Sequence, residues 1–292
     1  MTHQLLFHDL APDPREEWQR LLRFVGWGEA DRLAAARSVE AIFARGHELV
    51  VETYAHLAKV PETAALLGWQ DGPEPEHLEE RRRFLTIWLA RTLGLDTSDE
   101  LAVHLFRAGL VHHGLGSRRV HVPQSYVIAT VGLVQAGFAR CLAEAGLPAD
   151  VTAAALGAWS RYLSVQLDVM LLGYRAAADL TDGDVTVRCA AYGRLRELFG
   201  DRAVLVGLRR DGSLGEVLGK LFAAYPRVRA EVLDRVWDES EPAASRTVTL
   251  TPVYMPRPGW RLLLNGRDAS YEGGLDQQVG AGDEVSLFPP GR

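Results

Sequence analysis

The stretch "AGLVHHGLGSRR", residues 108–119, closes an apolar helical run with two adjacent histidines and then turns through glycines and two arginines. Neighbouring residues on a helix point about 100° apart, so only one of His112 and His113 faces a given pocket. Leu101, Leu105, Ala108 and His112 recur at steps of 4, 3 and 4, which sets His112 on an apolar stripe. Phe106, Leu110 and His113 form a second, shorter stripe. Periodicity favours His112 only slightly, and a histidine on an apolar face is more often a satisfied core residue than a ligand. Neither HxxxH nor HExxH occurs, and no carboxylate lies within one turn of either histidine. The pattern is not that of a zinc site.

Bulk properties narrow the setting. The 292 residues are enough for two domains. Hydrophobic residues make up 47% and charged residues 24%, ordinary values for a globular chain. The net charge of −6 argues against a general nucleic-acid binder. Cys141 and Cys189 lie far apart and form no CxxC, which argues against a disulfide framework or a thiolate metal site. No signal peptide is legible, and no unbroken apolar run reaches the roughly 18 residues of a membrane span. The chain reads as cytoplasmic, with neither a membrane nor a nucleic acid as partner. All nine histidines lie in the first 121 residues, so any imidazole chemistry belongs to the N-terminal half.

Up to about Leu180 the pattern is helical throughout. "GEADRLAAARSVEAIFARGHELVVETYAHLAKV", residues 28–60, carries Phe43, His47, Val50, Tyr54 and Leu57 on one face and predicts one long helix. "DGPEPE" at 71–76 breaks the chain before a helix through Arg81-Arg82-Arg83, read as a solvated face. Ser98 is the expected N-cap of the helix that ends at the histidine pair. Two long helical segments follow, roughly 124–146 and 149–178. "TDGD" at 181–184 marks a boundary. Beyond it "VTVRCAAY", "AVLVGL", "RTVTLTPVYM", "WRLLLNG" and "DEVSLFPP" read as strands around one main helix, "SLGEVLGKLFAAYP", capped by Ser213. Asn265-Gly266 predicts a tight turn between strands. The fold class is therefore multidomain, an all-α domain over 1–180 followed by an α+β domain over 185–292.

A helical domain with one imidazole opposite an apolar wall and one buried tyrosine points to haem. That cofactor needs a single proximal histidine, a flat apolar slot and distal groups that control the ligand. Tyr54 and Phe84 are the distal candidates. A buried tyrosine needs a hydrogen-bond partner, and a gas held in the pocket supplies one. The alternative is that Tyr54 bonds a backbone carbonyl and Phe84 is core.

Residues 15–178 resemble the protoglobin and globin-coupled-sensor family in "LLRFVGW" (21–27), "VVETYAHLAKVPETAALL" (50–67), "RRRFLTIWL" (81–89) and "AGLVHHGLGSRRVHVPQSYVIA" (108–129). The resemblance implies a sensor-type globin that binds haem b. It implies His112, three residues after Gly109, as the proximal ligand of the haem iron, with His113 its neighbour. It places Tyr54, seven residues before Pro61, and Phe84, just after the arginine cluster, on the distal side, and Tyr126 in support of the proximal side. Arg118 and Arg119 would reach the propionates or stay solvated. The expected ligand is a diatomic gas (O2, CO or NO). The expected assembly is a homodimer through the last two helices of the domain. The chain departs from the family at Thr53, where relatives often carry an aromatic residue, and in a loop of intermediate length between His112 and Tyr126.

Residues from about 185 to 290 resemble the small sulfur-carrier subunit of molybdopterin synthase, a ubiquitin-like β-grasp fold, with an insertion around "DESEPAASRTVTLTPVYMPRPG". That family acts through a terminal Gly-Gly. Here the sequence ends in Gly291 and Arg292, which leaves the expectation of a recognition module rather than a working carrier. The expectation for the whole chain is a haem gas sensor, not an enzyme, that signals to its β-grasp domain and through it to a molybdenum-cofactor or sulfur-transfer partner protein. The alternatives are a sulfur carrier with a regulatory globin, a haem enzyme that removes NO or peroxide, and a globin fold that carries no cofactor.

Overall fold

A computed structural model describes residues 3–199, 203–238 and 251–290. Residues 14–175 form one compact unit, and residues 1–13 with 176–292 form the other.

The first unit is built from α1 (Pro14–Phe24), α2 (Glu29–Phe43), α3 (Gly46–Lys59), α4 (Pro61–Leu67), α5 (Pro75–Leu93), α6 (Asp99–Leu110), α7 (Gln124–Glu144) and most of α8 (Ala149–Thr181). The single long helix expected over 28–60 is two helices. The break falls at Ala44 and Arg45, and Phe43, expected on the buried stripe, is 73% exposed. Periodicity ran through the break because Gly46 is its only local signal. The core is aromatic, with Trp18, Phe138, Trp159 and Tyr162 essentially sealed from solvent. Their polar atoms are satisfied inside. Trp159 Nε1 donates to Ser38 Oγ at 2.8 Å, Tyr162 OH to the Asp96 carbonyl at 2.5 Å and Trp18 Nε1 to the Thr97 carbonyl at 3.1 Å. Helix α7 is long and apolar enough to cross a membrane, with mean hydropathy 1.5, but Val127, Val134, Phe138 and Leu142 on it are core residues.

Helices α6 and α8 cross with backbone against backbone. A Cβ on Gly109 would lie 1.9 Å from the Met170 carbonyl oxygen, and one on Gly173 would lie 2.0 Å from that of Phe106. Two glycines therefore set the depth at which the histidine-bearing helix sits. Ser98 caps α6 as expected, accepting from the Leu101 amide at 3.3 Å. At its other end α6 widens into a π turn over Val111–Leu115, in which Gly114 takes φ +115°. The Val122 amide then donates to the His112 carbonyl at 2.8 Å and brings the loop back.

The second unit holds a five-stranded sheet of β1 (Val185–Ala191), β2 (Val204–Leu208), β5 (Arg261–Leu264), β6 (Arg267–Asp268) and β7 (Glu284–Phe288). Its order is β2-β1-β7-β5-β6, with β1 and β7 parallel and the other pairs antiparallel. Helix α10 (Leu214–Ala224), capped by Ser213, buries Val217, Leu218, Leu221 and Phe222. This is the β-grasp arrangement, with the first and last strands side by side at the centre. Asn265 and Gly266 make the β5–β6 turn. Short helices α9 (Leu195–Leu198) and α11 (Pro226–Val232) flank the sheet strands in sequence. A separate hairpin pairs β3 (Leu233–Asp238) with β4 (Thr251–Pro256). The segment 239–250, part of the insertion and of one expected strand, lies outside the described residues, as do Gly291 and Arg292.

The first thirteen residues, read above as part of the helical half, group with the sheet unit. Phe7 pairs its backbone with Tyr254 and sets its ring edge-on to Phe222 at 5.4 Å. Arg229 Nη1 donates to the Ala11 carbonyl at 2.5 Å. Such long-range pairing leaves no local trace in the sequence.

Candidate functional site

The Gly109–Gly173 crossing separates the roles of the two histidines. His112 and His113 are successive residues in the π turn, so their two rings point in different directions. His113 turns to α8. Its ring stands edge-on to Tyr174 and to His121, both at 4.9 Å. His121 Nδ1–H donates to the His113 carbonyl at 3.0 Å, and its Nε2 lies 3.4 Å from the Tyr174 hydroxyl. His113 and His121, left open by sequence, thus pack the loop onto α8.

His112 is half-buried, and its Nδ1–H donates to the Ala108 carbonyl at 2.6 Å. Nε2 has no partner among the described residues. Burial holds this imidazole below the ordinary histidine range. The Arg81 guanidinium adds to the effect and the Ala108 carbonyl opposes it. A neutral ring with one nitrogen tethered to a carbonyl and the other bare is the form that ligates a metal.

Tyr54 lies on α3, and its hydroxyl donates to the Arg81 carbonyl on α5 at 3.0 Å. That is the backbone-bonded arrangement. Burial pushes its phenol up to about 12, against the pull of Arg81. Phe84 is not core, being 53% exposed. Tyr126 is half-buried at the start of α7, with its carbonyl accepting from Thr130 Oγ1 at 2.8 Å. Arg81 is the common element, because its field reaches Tyr54, His77 and His112 together. Read from sequence as solvated, Arg81 and Arg82 are half-buried instead. Arg81 Nε lies 3.0 Å from His77 Nε2, and Arg82 pairs with Glu79 at 2.7 Å. Arg118 pairs with Glu80 at 2.9 Å, and Arg119 is exposed.

Apolar side chains left facing outward gather on the segments that carry these groups. Phe84 and Ile87 lie on α5, Val111 and Leu115 in the π turn beside His112, and Ile128 lies two residues after Tyr126 on α7. Outward apolar groups beside an imidazole with a bare nitrogen fit a flat, largely apolar group with a metal centre. A separate cavity of about 210 Å³ lies between α3, α5 and α7, walled by Val50, Thr53, Leu85, Trp88, Leu133 and Phe138. None of His112, Tyr54, Phe84 and Tyr126 lines it. Among the described residues no cluster of three or more His, Cys, Asp or Glu is arranged to hold a metal ion. Sequence reasoning missed two residues here, namely Trp69, whose ring stands beside that of Tyr54, and His77, which stands beside Trp69. The i, i+4 spacing of His77 and Arg81 was visible, but the turn that brings Trp69 over them was not.

The helical unit has a globin fold. Residues 15–179 match the protoglobin family model, more than half of the chain, and the chain belongs to that family. Membership implies haem binding. The globin domain of a Geobacter sulfurreducens globin-coupled sensor is 19% identical, covering 54% of this chain and 97% of its own, with a TM-score of 0.43. The ferric globin domain of E. coli DosC is 15% identical over the same shares, also at 0.43. For the sheet unit, the small archaeal modifier protein 1 of H. volcanii is 26% identical, covering 37% of this chain and 100% of its own, at 0.27. A comparison with curated proteins finds no match.

Proposed function

We propose that the helical unit holds haem b through His112 and reversibly takes up a diatomic gas (O2, CO or NO), and that occupancy is signalled to the β-grasp unit. The observation that carries this reading is the His112 ring, tethered through Nδ1 and bare at Nε2. Haem b, if bound, would be held by His112 and would supply an iron centre able to take a diatomic ligand. The Ala108 carbonyl fixes the tautomer and leaves the Nε2 lone pair to donate. Tyr54 stays a neutral phenol at physiological pH and brings an O–H donor to the distal side. Phe84 and Ile87 keep that side apolar, and Tyr126 supports the proximal side from α7. Stabilising one arrangement of these groups over another is a population shift, which the gas drives only through its differential contacts.

On this reading residues 14–175 are the haem-binding unit and residues 1–13 with 176–292 the unit that receives the signal, in a cytoplasmic protein that senses rather than catalyses. On this reading the β-grasp unit meets a protein partner in molybdenum-cofactor synthesis or sulfur transfer, and the chain pairs as a homodimer through α7 and α8. The test is titration of haem-free protein with hemin. A Soret band at one haem per chain is expected, lost in His112→Ala and kept in His113→Ala. A band that survives His112→Ala removes the reading.

A further inference from the structure

Tyr54 does not stand alone on its side of the helical unit. Trp69, 2% exposed just beyond α4, sets its ring edge against the Tyr54 ring with centroids 6.3 Å apart. Its indole Nε1 donates to His77 Nδ1 at 3.2 Å. His77, 4% exposed in the first turn of α5, meets Arg81 Nε through its other nitrogen at 3.0 Å. The Arg81 carbonyl receives the Tyr54 hydroxyl. The four residues close a ring that runs from phenol to indole, imidazole, α5 and back to the phenol.

The ring is over-supplied with donors. Burial keeps His77 neutral, and the guanidinium groups of Arg81 and Arg118 act in the same direction. A neutral imidazole has one bare nitrogen and one N–H. Both ring nitrogens nevertheless face an N–H, so His77 serves either Trp69 or Arg81 at one time. Of these, only Trp69 is sealed from water and has no other acceptor among the described residues, so the bare nitrogen belongs to it.

We propose that Trp69 and His77 are positioning residues that park the Tyr54 hydroxyl on the Arg81 carbonyl, so that the phenol must leave that acceptor before it donates to a gas. The parked bond competes with the gas for one proton. Residence of the gas is then set by how firmly Trp69 and His77 hold the phenol, as well as by the presence of a tyrosine. For the gas-binding arm this rests on the haem reading above. The parked hydroxyl itself does not.

The test has two arms. In haem-free protein, the Tyr54 hydroxyl proton is followed by NMR with labelled tyrosine. It is expected to exchange slowly in the wild type and at least about tenfold faster in Trp69→Phe and His77→Phe. His77→Gln, which keeps an acceptor for the indole, is expected to restore slow exchange. In haem-loaded ferrous protein, Trp69→Phe is expected to slow O2 dissociation about threefold to tenfold, the range that loss of one hydrogen bond produces. CO dissociation, which depends less on a donor, is expected to change less than twofold. The O2 effect is expected to vanish in a Tyr54→Phe background. Unchanged hydroxyl exchange in both variants overturns the proposal whether or not haem binds. An O2 effect that persists without the Tyr54 hydroxyl also overturns it. Absence of a Soret band in the wild type instead defeats the haem reading and leaves the first arm to decide this one.

Discussion

Gly109→Ala tests the crossing on which the placement of His112 depends. The new Cβ would lie 1.9 Å from the Met170 carbonyl oxygen and 2.7 Å from the Tyr174 amide nitrogen, where real Cβ contacts essentially never fall under 3.0 Å. The obstacle is backbone, so no rotamer change relieves it, and α6 must retreat from α8 by about 1 Å or more. A gap of that size forfeits about a quarter to a half of the dispersion energy of the contacts it opens. Leu105, Phe106 and Val169, all buried near the crossing, lose part of theirs. Alanine returns about 1 kcal/mol through helix propensity. Overpacking of this kind costs about 1–3 kcal/mol and more where nothing can move. We expect a net loss of about 2 kcal/mol, read from urea denaturation followed by helical circular dichroism. Gly173→Ala should behave alike, and the double variant should cost less than the sum, because the first Cβ already parts the helices. A Gly109→Ala protein as stable as the wild type, or more so, is what an ordinary exposed helix glycine gives. That result would refute the close crossing and the assignment of the two histidines built on it.

Three other outcomes follow from buried groups. His77, His104, His112 and His113 are all held below the usual imidazole range, first by burial. The unfolded chain therefore takes up protons first, near pH 6.5, and stability of the haem-free protein should fall as pH drops below that value. The ceiling is about 1.4 kcal/mol per pH unit for each group; equal or greater stability at pH 5.5 than at pH 7.5 would contradict it. Cys189, whose thiol burial pushes up to about 12, should resist iodoacetamide at pH 8 until the protein unfolds, and rapid labelling of the native state would show the sheet unit to be open there. Leu221→Ala on α10, at a fully buried position, should cost about 2–5 kcal/mol by chemical denaturation, and a loss under 1 kcal/mol would argue against the helix packing on the sheet.

Local chemistry was legible and long-range geometry was not. Ser98 and Ser213 were readable as caps because a hydroxyl just before an apolar period has one obvious use. Asn265-Gly266 was readable because few other pairs tolerate that turn. The break at Ala44 and Arg45 was hidden by an apolar period that continues through it. The choice between His112 and His113 could not be made from their own stripe. It depends on Gly109, whose meaning appears only once Gly173 is known to lie opposite. His77 was invisible as a partner of Tyr54 because the link passes through Trp69, on another segment, and because a buried histidine and a solvated one look alike in sequence. The resemblance to protoglobins, and not this geometry, is what singled out His112 as the expected proximal residue.

Two facing backbones have no rotamers with which to yield. At Gly109 and Gly173, α6 already rests against a wall, so the segment carrying His112 has free travel in one sense only, outward from α8. An inward push stalls at the carbonyls, whereas an outward pull works only against dispersion. Slack for that stroke is available in the π turn that carries His112 itself, which holds a surplus residue, and at Gly114, which leaves the helical path. The fold thus gives the imidazole a one-way stop, and a pull on it would be taken up by rewinding the turn in which it sits.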